Sequence, residues 1–115
     1  MTIERIKVGP RMSQVVIHGD TIYLAGQVAD DPSADVAGQT RQILAKIDNL
    51  LAEAGADKSK VLSANVWLSD ISTFDQMNAV WDKWVTPGQP PARATVESRL
   101  ARPEFKVEIM VVAAR

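Results

Sequence analysis

The chain contains no cysteine and a single histidine, His18, among its 115 residues. The absence of cysteine excludes disulfide bonds, thiolate nucleophiles and thiolate metal ligands, and it fits a reducing compartment. Zinc and copper centres usually draw on several imidazoles or thiolates, and one histidine cannot supply them. We therefore expect no metal site in this protein.

An excess of charge and a long apolar run are also absent. Thirteen Lys and Arg residues oppose fourteen Asp and Glu residues, which gives a net charge of -1. No run of basic residues would form a phosphate-binding stripe, so the charge pattern does not favour nucleic acid as a partner. The segment 1–6 lacks the apolar stretch of a signal peptide, and no segment approaches the roughly 18 consecutive apolar residues of a membrane span. The sequence predicts a soluble, cytoplasmic protein without a membrane partner.

The length and the hydrophobic pattern predict one domain, residues 1–115, of the α+β class. Apolar and polar residues alternate in the segments that we assign to strands, whereas apolar residues recur every three or four positions in two segments that we assign to helices. The predicted elements are strands at 3–8, 15–17 and 22–25, a helix at 35–55, a strand at 61–68, a helix at 74–84, and strands at 92–97 and 105–114. Their order is β-β-β-α-β-α-β-β.

Local patterns also predict which side chains share a face. In the strand at 61–68, period-two geometry places Leu62 on the same face as the apolar residues at 64, 66 and 68. Ser72 to Asp75 resembles a capping box at the start of the second helix. That helix carries a stripe of large side chains, which we expect to pack on the sheet: Phe74, Met77, Trp81 and Trp84.

Two amphipathic helices on one side of a mixed sheet leave the other sheet face uncovered. On the last strand, Met110 and Val112 share that face with the charged residues Lys106 and Glu108, so the face is partly apolar. An uncovered, partly apolar sheet face predicts a homo-oligomer in which the bare faces meet.

The segment 90–97, Pro-Pro-Ala-Arg-Ala-Thr-Val-Glu, places Arg93 at the start of a strand, directly after a proline-rich turn. A half-buried guanidinium requires an anionic partner, which can be a ligand or a carboxylate of the same chain. Arg93 and Thr95 share one face of their strand. If the last two strands are neighbours, Arg93 lies close to Glu108, either as a structural salt bridge or as an anion fork beside a carboxyl group of tunable pKa.

At this level of detail the chain resembles the RidA/YjgF (Rid) family, in register over nearly its whole length. The segments that carry the resemblance are Ala25-Gly26-Gln27, Asp35-Val36-Ala37 with Gln39 and Gln42, Phe74 to Trp81, Pro91 to Glu97, and Lys106 to Ile109. Pro-Ala-Arg and the late Val-Glu-Ile are the most specific of these motifs.

The resemblance implies a chorismate-mutase-like fold, a homotrimer around a central β-barrel, and small-molecule sites in the clefts between subunits. It further implies an enzyme that needs no cofactor, an enamine/imine deaminase that hydrolyses 2-aminoacrylate-type intermediates to 2-oxoacids and ammonia. By the resemblance, Arg93 grips the substrate carboxylate and Glu108 positions or activates water. Gly26 matches a residue that lines the cleft, and Asn78 matches a helix asparagine near the site.

Three positions depart from the pattern of the family. Thr95 stands where a cysteine is usual, Ala25 stands where a serine is common, and Met12 stands where archetypal members have a tyrosine. All three would belong to the substrate pocket, so they indicate a divergent subgroup with altered substrate choice.

Two other functions remain open from the sequence. One is a non-catalytic trimer that binds or senses a 2-oxoacid through Arg93. The other is an endoribonuclease, in which Arg93 would hold a phosphate, but protein-only RNA cleavage usually needs a paired acid and base and a cationic surface. Turnover of 2-aminoacrylate separates the enzyme from the binding protein.

Overall fold

The computed structural model describes residues 1–115, and the observed order of strands and helices is the predicted one. The elements are β1 (Ile3–Val8), β2 (Ser13–His18), β3 (Thr21–Leu24), α1 (Val36–Glu53), β4 (Val61–Leu68), α2 (Phe74–Trp84), β5 (Ala92–Glu97) and β6 (Val107–Ala114). Short 3-10 turns, Lys58–Lys60 and Ile71–Thr73, precede β4 and α2.

The six strands form one mixed sheet in the order β1-β2-β3-β6-β4-β5. All neighbouring pairs are antiparallel except β4 and β5, which are parallel. Parallel neighbours need a crossover connection, and α2 provides it between β4 and β5. The crossover places β5 at the edge of the sheet and leaves β4 between β5 and β6. The last two strands are therefore not neighbours, and the condition for a contact between Arg93 and Glu108 is not met.

The core lies between the two helices and one face of the sheet, which confirms the predicted α+β arrangement. Every second residue of β6 is fully buried there, from Val107 to Ala113. α1 contributes Ile43, Ile47 and Leu51 to the same core, and its first turn is capped by the Asp35 carboxylate, which accepts a hydrogen bond from the Gly38 N–H. Neither helix is long and apolar enough to cross a membrane.

The opposite face of the sheet carries no helix. Tyr23 on β3 and Val96 on β5 are about half exposed on this face, at 48% and 49%. Met110 and Val112 project from it on β6 and are only partly covered. We call this surface the open face.

A β-bulge changes the predicted pattern of β4. Val61 pairs with Ala113 and Ser63 with Val112, so Leu62 is an extra residue in β4. Such an extra residue is unpaired and shifts the alternation of side chains by one position. Leu62 is 54% exposed whereas Val61 is buried, so the predicted placement of Leu62 on the inner face is wrong.

The capping box predicted for α2 is also wrong. Asp70 caps the 3-10 turn Ile71–Thr73 instead, and its carboxylate accepts hydrogen bonds from the Ser72 N–H and hydroxyl. These bonds stabilise the 3-10 turn that precedes the helix, and Thr73 at the helix N-cap makes no capping bond through its side chain. The helix therefore begins at Phe74, as predicted, and it is preceded by an Asx-type turn at Asp70.

Candidate functional site

Arg93 and Thr95 project from the sheet face that the helices cover. On the neighbouring strand, Arg93 is paired with Ala64 and Thr95 with Val66, and both of these β4 residues are buried in the core. Paired residues of adjacent strands point to the same face, so the arginine side chain runs beneath α2 at the edge of the sheet.

The guanidinium of Arg93 lies against aromatic rings. Its central carbon is 5.1 Å from the ring centroid of Trp81 and 5.7 Å from that of Phe74, distances at which a cation is attracted to an aromatic face. One nitrogen lies 3.9 Å from the sulfur of Met77. The residues that surround Arg93 thus orient it without neutralising its charge.

No carboxylate of the chain pairs with Arg93. The ion pairs in the structure are Lys7–Glu53, Lys46–Asp30 and Arg115–Glu4. The guanidinium also makes no hydrogen bond to an oxygen atom, so its fork of donors is unused within the chain. The alternative of an internal salt bridge is therefore wrong.

Burial under α2 lowers the pKa of Arg93, and the charge of Asp82 partly opposes that shift. An arginine stays protonated in proteins at neutral pH despite such a shift. A partly desolvated cation without an ion-pair partner is an unfavourable arrangement for the folded protein alone, and an anion bound to the fork would relieve it.

Two buried polar atoms near Arg93 have no hydrogen-bond partner, the Asn78 carbonyl oxygen and the Thr95 hydroxyl oxygen. Asn78 follows Phe74 by four positions and precedes Trp81 by three, so it lies on the same side of α2 as the two rings. Thr95 lies two positions after Arg93 on the same strand face. We call Arg93, Thr95 and Asn78, with the two rings, the arginine half-site.

Glu108 lies on the open face of the sheet, next to Gly26. A methyl group added at Gly26 would overlap the carboxylate of Glu108, so only glycine permits this close approach. The carboxyl group makes no ion pair or hydrogen bond within the chain, and partial burial raises its pKa. We call Glu108 and Gly26, with the adjoining Ala25, the glutamate half-site.

The two remaining predicted pocket positions lie near the β1–β2 hairpin. The Ala25 N–H donates to the Gln14 carbonyl at 3.0 Å, which joins the glutamate half-site to β2. Met12 is 55% exposed in the loop between β1 and β2, where it lines a shallow cleft of about 410 Å³. Its backbone carbonyl accepts a hydrogen bond from the Gly9 N–H at 2.8 Å.

The two half-sites lie on opposite faces of the sheet. Glu108 is paired with Trp67 of β4, which points to the open face, whereas Arg93 is paired with Ala64, which points to the core. Within one chain, Arg93 and Glu108 cannot converge on a single small molecule. The proximity that adjacent strands would have given Arg93 and Glu108 is therefore absent within one chain.

The aromatic partners of Arg93 were not predicted, because the stripe that contains Phe74 and Trp81 was expected to pack on the sheet. Trp81 is buried as expected, but Phe74 remains 37% exposed at the rim of the arginine half-site. The sequence feature that could have indicated this contact is the position of both residues on α2, the helix that precedes the Arg93 strand β5. A crossover helix packs beside the strand that it introduces, so its inner face meets the side chains of that strand.

Comparison with known proteins identifies the family. The family model described as Endoribonuclease L-PSP matches residues 2–115. A "RutC family protein" of Haemophilus ducreyi is 46% identical over 112 residues, which cover 97% of this chain and 96% of the relative. The RutC family protein YoaB of Escherichia coli is 46% identical over 114 residues, with 99% of both chains covered. The chain belongs to the YjgF/Rid family.

The fold comparison agrees with this assignment. The structure of this chain superposes on the crystal structure of a YjgF family member from Neisseria meningitidis with a TM-score of 0.98. The two sequences are 45% identical, and the match covers 100% of this chain and 96% of the other. Two helices packed on a mixed six-stranded sheet are thus the YjgF/Rid architecture, as the motifs predicted.

Proposed function

We propose that this protein is an enamine/imine deaminase that hydrolyses 2-aminoacrylate-type intermediates to 2-oxoacids and ammonia. The observation that carries the proposal is Arg93, a desolvated guanidinium that has aromatic neighbours but no anionic partner in its own chain. Membership of the YjgF/Rid family supports an enzymatic role of this kind.

In the proposed reaction, Arg93 holds the substrate carboxylate through two charge-assisted hydrogen bonds. Water adds to the electrophilic carbon of the protonated imine, and the resulting carbinolamine loses ammonia to leave the 2-oxoacid. Overall, one iminium ion and one water molecule give one 2-oxoacid and one ammonium ion. The chemistry needs orientation, a water molecule and proton transfer, and no cofactor.

Glu108 is the proposed group that orients water and transfers protons. Its carboxyl group has no partner within the chain, and its raised pKa brings protonation closer to neutral pH, as suits proton transfer. Because Gly26 has no side chain, its backbone leaves room for the Glu108 carboxyl group at this position on the open face.

We infer that the complete site forms between subunits of a homotrimer, because Arg93 and Glu108 lie on opposite faces of one sheet. In that assembly, the partly apolar open faces would meet in a central β-barrel, and the arginine half-site of one subunit would face the glutamate half-site of the next. Burial of exposed apolar residues such as Tyr23 and Val96 favours such contacts.

A binding protein for 2-oxoacids is the second candidate, and one structural fact favours it. The arginine half-site is formed by β5 and α2 of a single chain, so it could bind a carboxylate without any contribution from Glu108. Catalysis requires both half-sites, whereas sensing a 2-oxoacid requires only the arginine half-site.

The test is an assay in which a threonine or serine dehydratase generates the imine and the formation of 2-oxoacid is followed above spontaneous hydrolysis. The wild-type protein should accelerate this step, and Arg93→Ala should lower the acceleration by at least about 100-fold, the effect of losing two charge-assisted hydrogen bonds.

The control is Arg41→Ala, which removes an exposed arginine from α1 and should retain wild-type activity. The oligomer mass of all three proteins should be unchanged. Full activity in Arg93→Ala would refute the assignment of the carboxylate anchor. Binding of 2-oxobutyrate without any acceleration by the wild type would establish the binding protein instead.

A further inference from the structure

Asn78 has a buried carbonyl oxygen that the chain itself leaves without a hydrogen-bond donor. Buried polar atoms in folded proteins nearly always have a partner, because an unpaired acceptor loses its hydrogen bonds to water and gains nothing in return. Asn78 lies on the side of α2 that carries Phe74 and Trp81, the two rings that contact the guanidinium of Arg93. A ligand held by Arg93 can supply the missing donor.

We propose that Asn78 makes the arginine half-site selective for carboxylates that carry an N–H donor on the adjacent carbon, over 2-oxoacids, which carry an oxygen acceptor there. This inference rests on the proposed function and specifies which form of the substrate the site prefers. Asn78 is assigned here as a specificity-determining residue that accepts a hydrogen bond from the nitrogen of the substrate.

The chemistry of the substrate and the product explains the selectivity. Both have a carboxylate for Arg93, but an iminium nitrogen donates hydrogen bonds, whereas the oxo oxygen of the product only accepts them. An oxo oxygen placed against the Asn78 carbonyl oxygen would set two acceptors against each other. A site with a buried hydrogen-bonding group rejects an analogue that cannot pair with it.

Thr95 plays a different role, because a hydroxyl group both donates and accepts. Its unpartnered oxygen lies on the same strand face as Arg93 and can donate to the bound carboxylate in either ligand. Thr95 should therefore strengthen the binding of substrate and product alike. Asn78 should be the residue that makes the affinity for the substrate higher than the affinity for the product.

A functional consequence follows for the catalytic cycle. The hydrogen bond to Asn78 is present while the nitrogen remains on the substrate, and it is lost when ammonia departs. The 2-oxoacid is then held by Arg93 and Thr95 alone. Product should leave readily, and a 2-oxoacid should be a weak inhibitor of the wild-type protein.

The test compares two stable probes by calorimetry on the intact oligomer, 2-aminobutyrate, which carries an ammonium donor, and 2-oxobutyrate, which carries none. The wild type should bind 2-aminobutyrate at least about 10-fold more tightly, the usual effect of one charge-assisted hydrogen bond. Asn78→Leu should abolish this preference, while Thr95→Val should weaken both ligands and keep the ratio.

The matched control is Gln76→Leu, the same kind of polar-to-leucine change at an exposed position of α2. If Asn78→Leu does not assemble, Asn78→Ala gives the same comparison with a smaller side chain. In the coupled assay, loss of the Asn78 oxygen should also lower the inhibition constant of 2-oxobutyrate relative to the KM of the imine.

The outcomes separate this inference from the proposed function. Binding that requires Arg93, with a ligand ratio unchanged in Asn78→Leu, would overturn the role of Asn78 and leave the deaminase proposal intact; a wild type that prefers 2-oxobutyrate would do the same. Absence of any Arg93-dependent binding and turnover would overturn the proposed function, and the selectivity with it.

Discussion

The two half-sites differ in how their functional groups are held. In the arginine half-site, α2 covers the guanidinium, and the rings of Phe74 and Trp81 orient it within one chain. In the glutamate half-site, Glu108 stands on the open face, where Gly26 leaves room for its carboxyl group but no residue of the chain holds it. The fold of a single chain therefore supplies all the contacts that orient the guanidinium, whereas the environment of the carboxyl group depends on what covers the open face.

Mixed oligomers provide the sharpest test of this comparison. Arg93→Ala and Glu108→Gln should each retain below about 1% of the wild-type acceleration, because each destroys one half of every site. Co-refolding equal amounts of the two variants should restore about a quarter of the wild-type rate, since each site then draws an intact half from each of two subunits with even odds. The measurement is the dehydratase-coupled assay on the purified mixture.

Each variant refolded alone serves as the control and should stay inactive. A mixture that also stays inactive, while its mass shows that the chains have exchanged, would mean that both groups act from the same subunit. That result would contradict the proposal that each site combines Arg93 of one subunit with Glu108 of the next.

The change Gly26→Ala should damage the glutamate half-site without unfolding the protein. The added methyl group meets the end of the Glu108 side chain, which can rotate away at little cost in stability. We expect activity to fall about 10-fold or more, while binding of 2-oxobutyrate to the arginine half-site is unchanged.

A double-mutant cycle checks the mechanism of that loss. If Gly26→Ala acts by displacing Glu108, it should lower activity little further in a Glu108→Gln background. Fully additive losses would show that Gly26 contributes in another way, for example through its backbone N–H.

The sequence predicted most of the fold because the relevant signals are local. Alternation and helical spacing identified all six strands and both helices close to their observed bounds. The order of strands in the sheet is set by pairing between distant segments, so the sequence left open whether β5 and β6 are neighbours, and they are not. The predicted face of Leu62 was wrong for a related reason, because the β-bulge becomes visible only in the pairing of β4 with β6.

The sequence proposes the members of the candidate site, but it does not give their arrangement. Arg93 and Glu108 were identified by residue type, strand position and family motif. Their separation by β4, and the use of Phe74 and Trp81 as the neighbours of Arg93, depend on how α2 crosses the sheet. The unpaired oxygen of Asn78 likewise follows from tertiary packing.

The smallest expected effect concerns the pH dependence of stability. Burial raises the pKa of Glu108 in the folded state above its value of about 4.3 in the unfolded chain. Below that unfolded value, the carboxyl group is neutral in both states and adds no cost. As pH rises through the folded pKa, ionisation costs more in the folded state, so the wild type loses stability relative to Glu108→Gln.

Urea unfolding of the wild type and Glu108→Gln, from about pH 4 to pH 7 at one protein concentration, measures this difference. The gap should open with rising pH and stay below about 1 kcal/mol, because solvent still reaches the carboxyl group. Glu104→Gln, which changes an exposed loop carboxylate, corrects for the loss of one charge. A gap that does not change with pH would mean that Glu108 is fully solvated in the assembled protein, and that its proposed role in proton transfer lacks its physical basis.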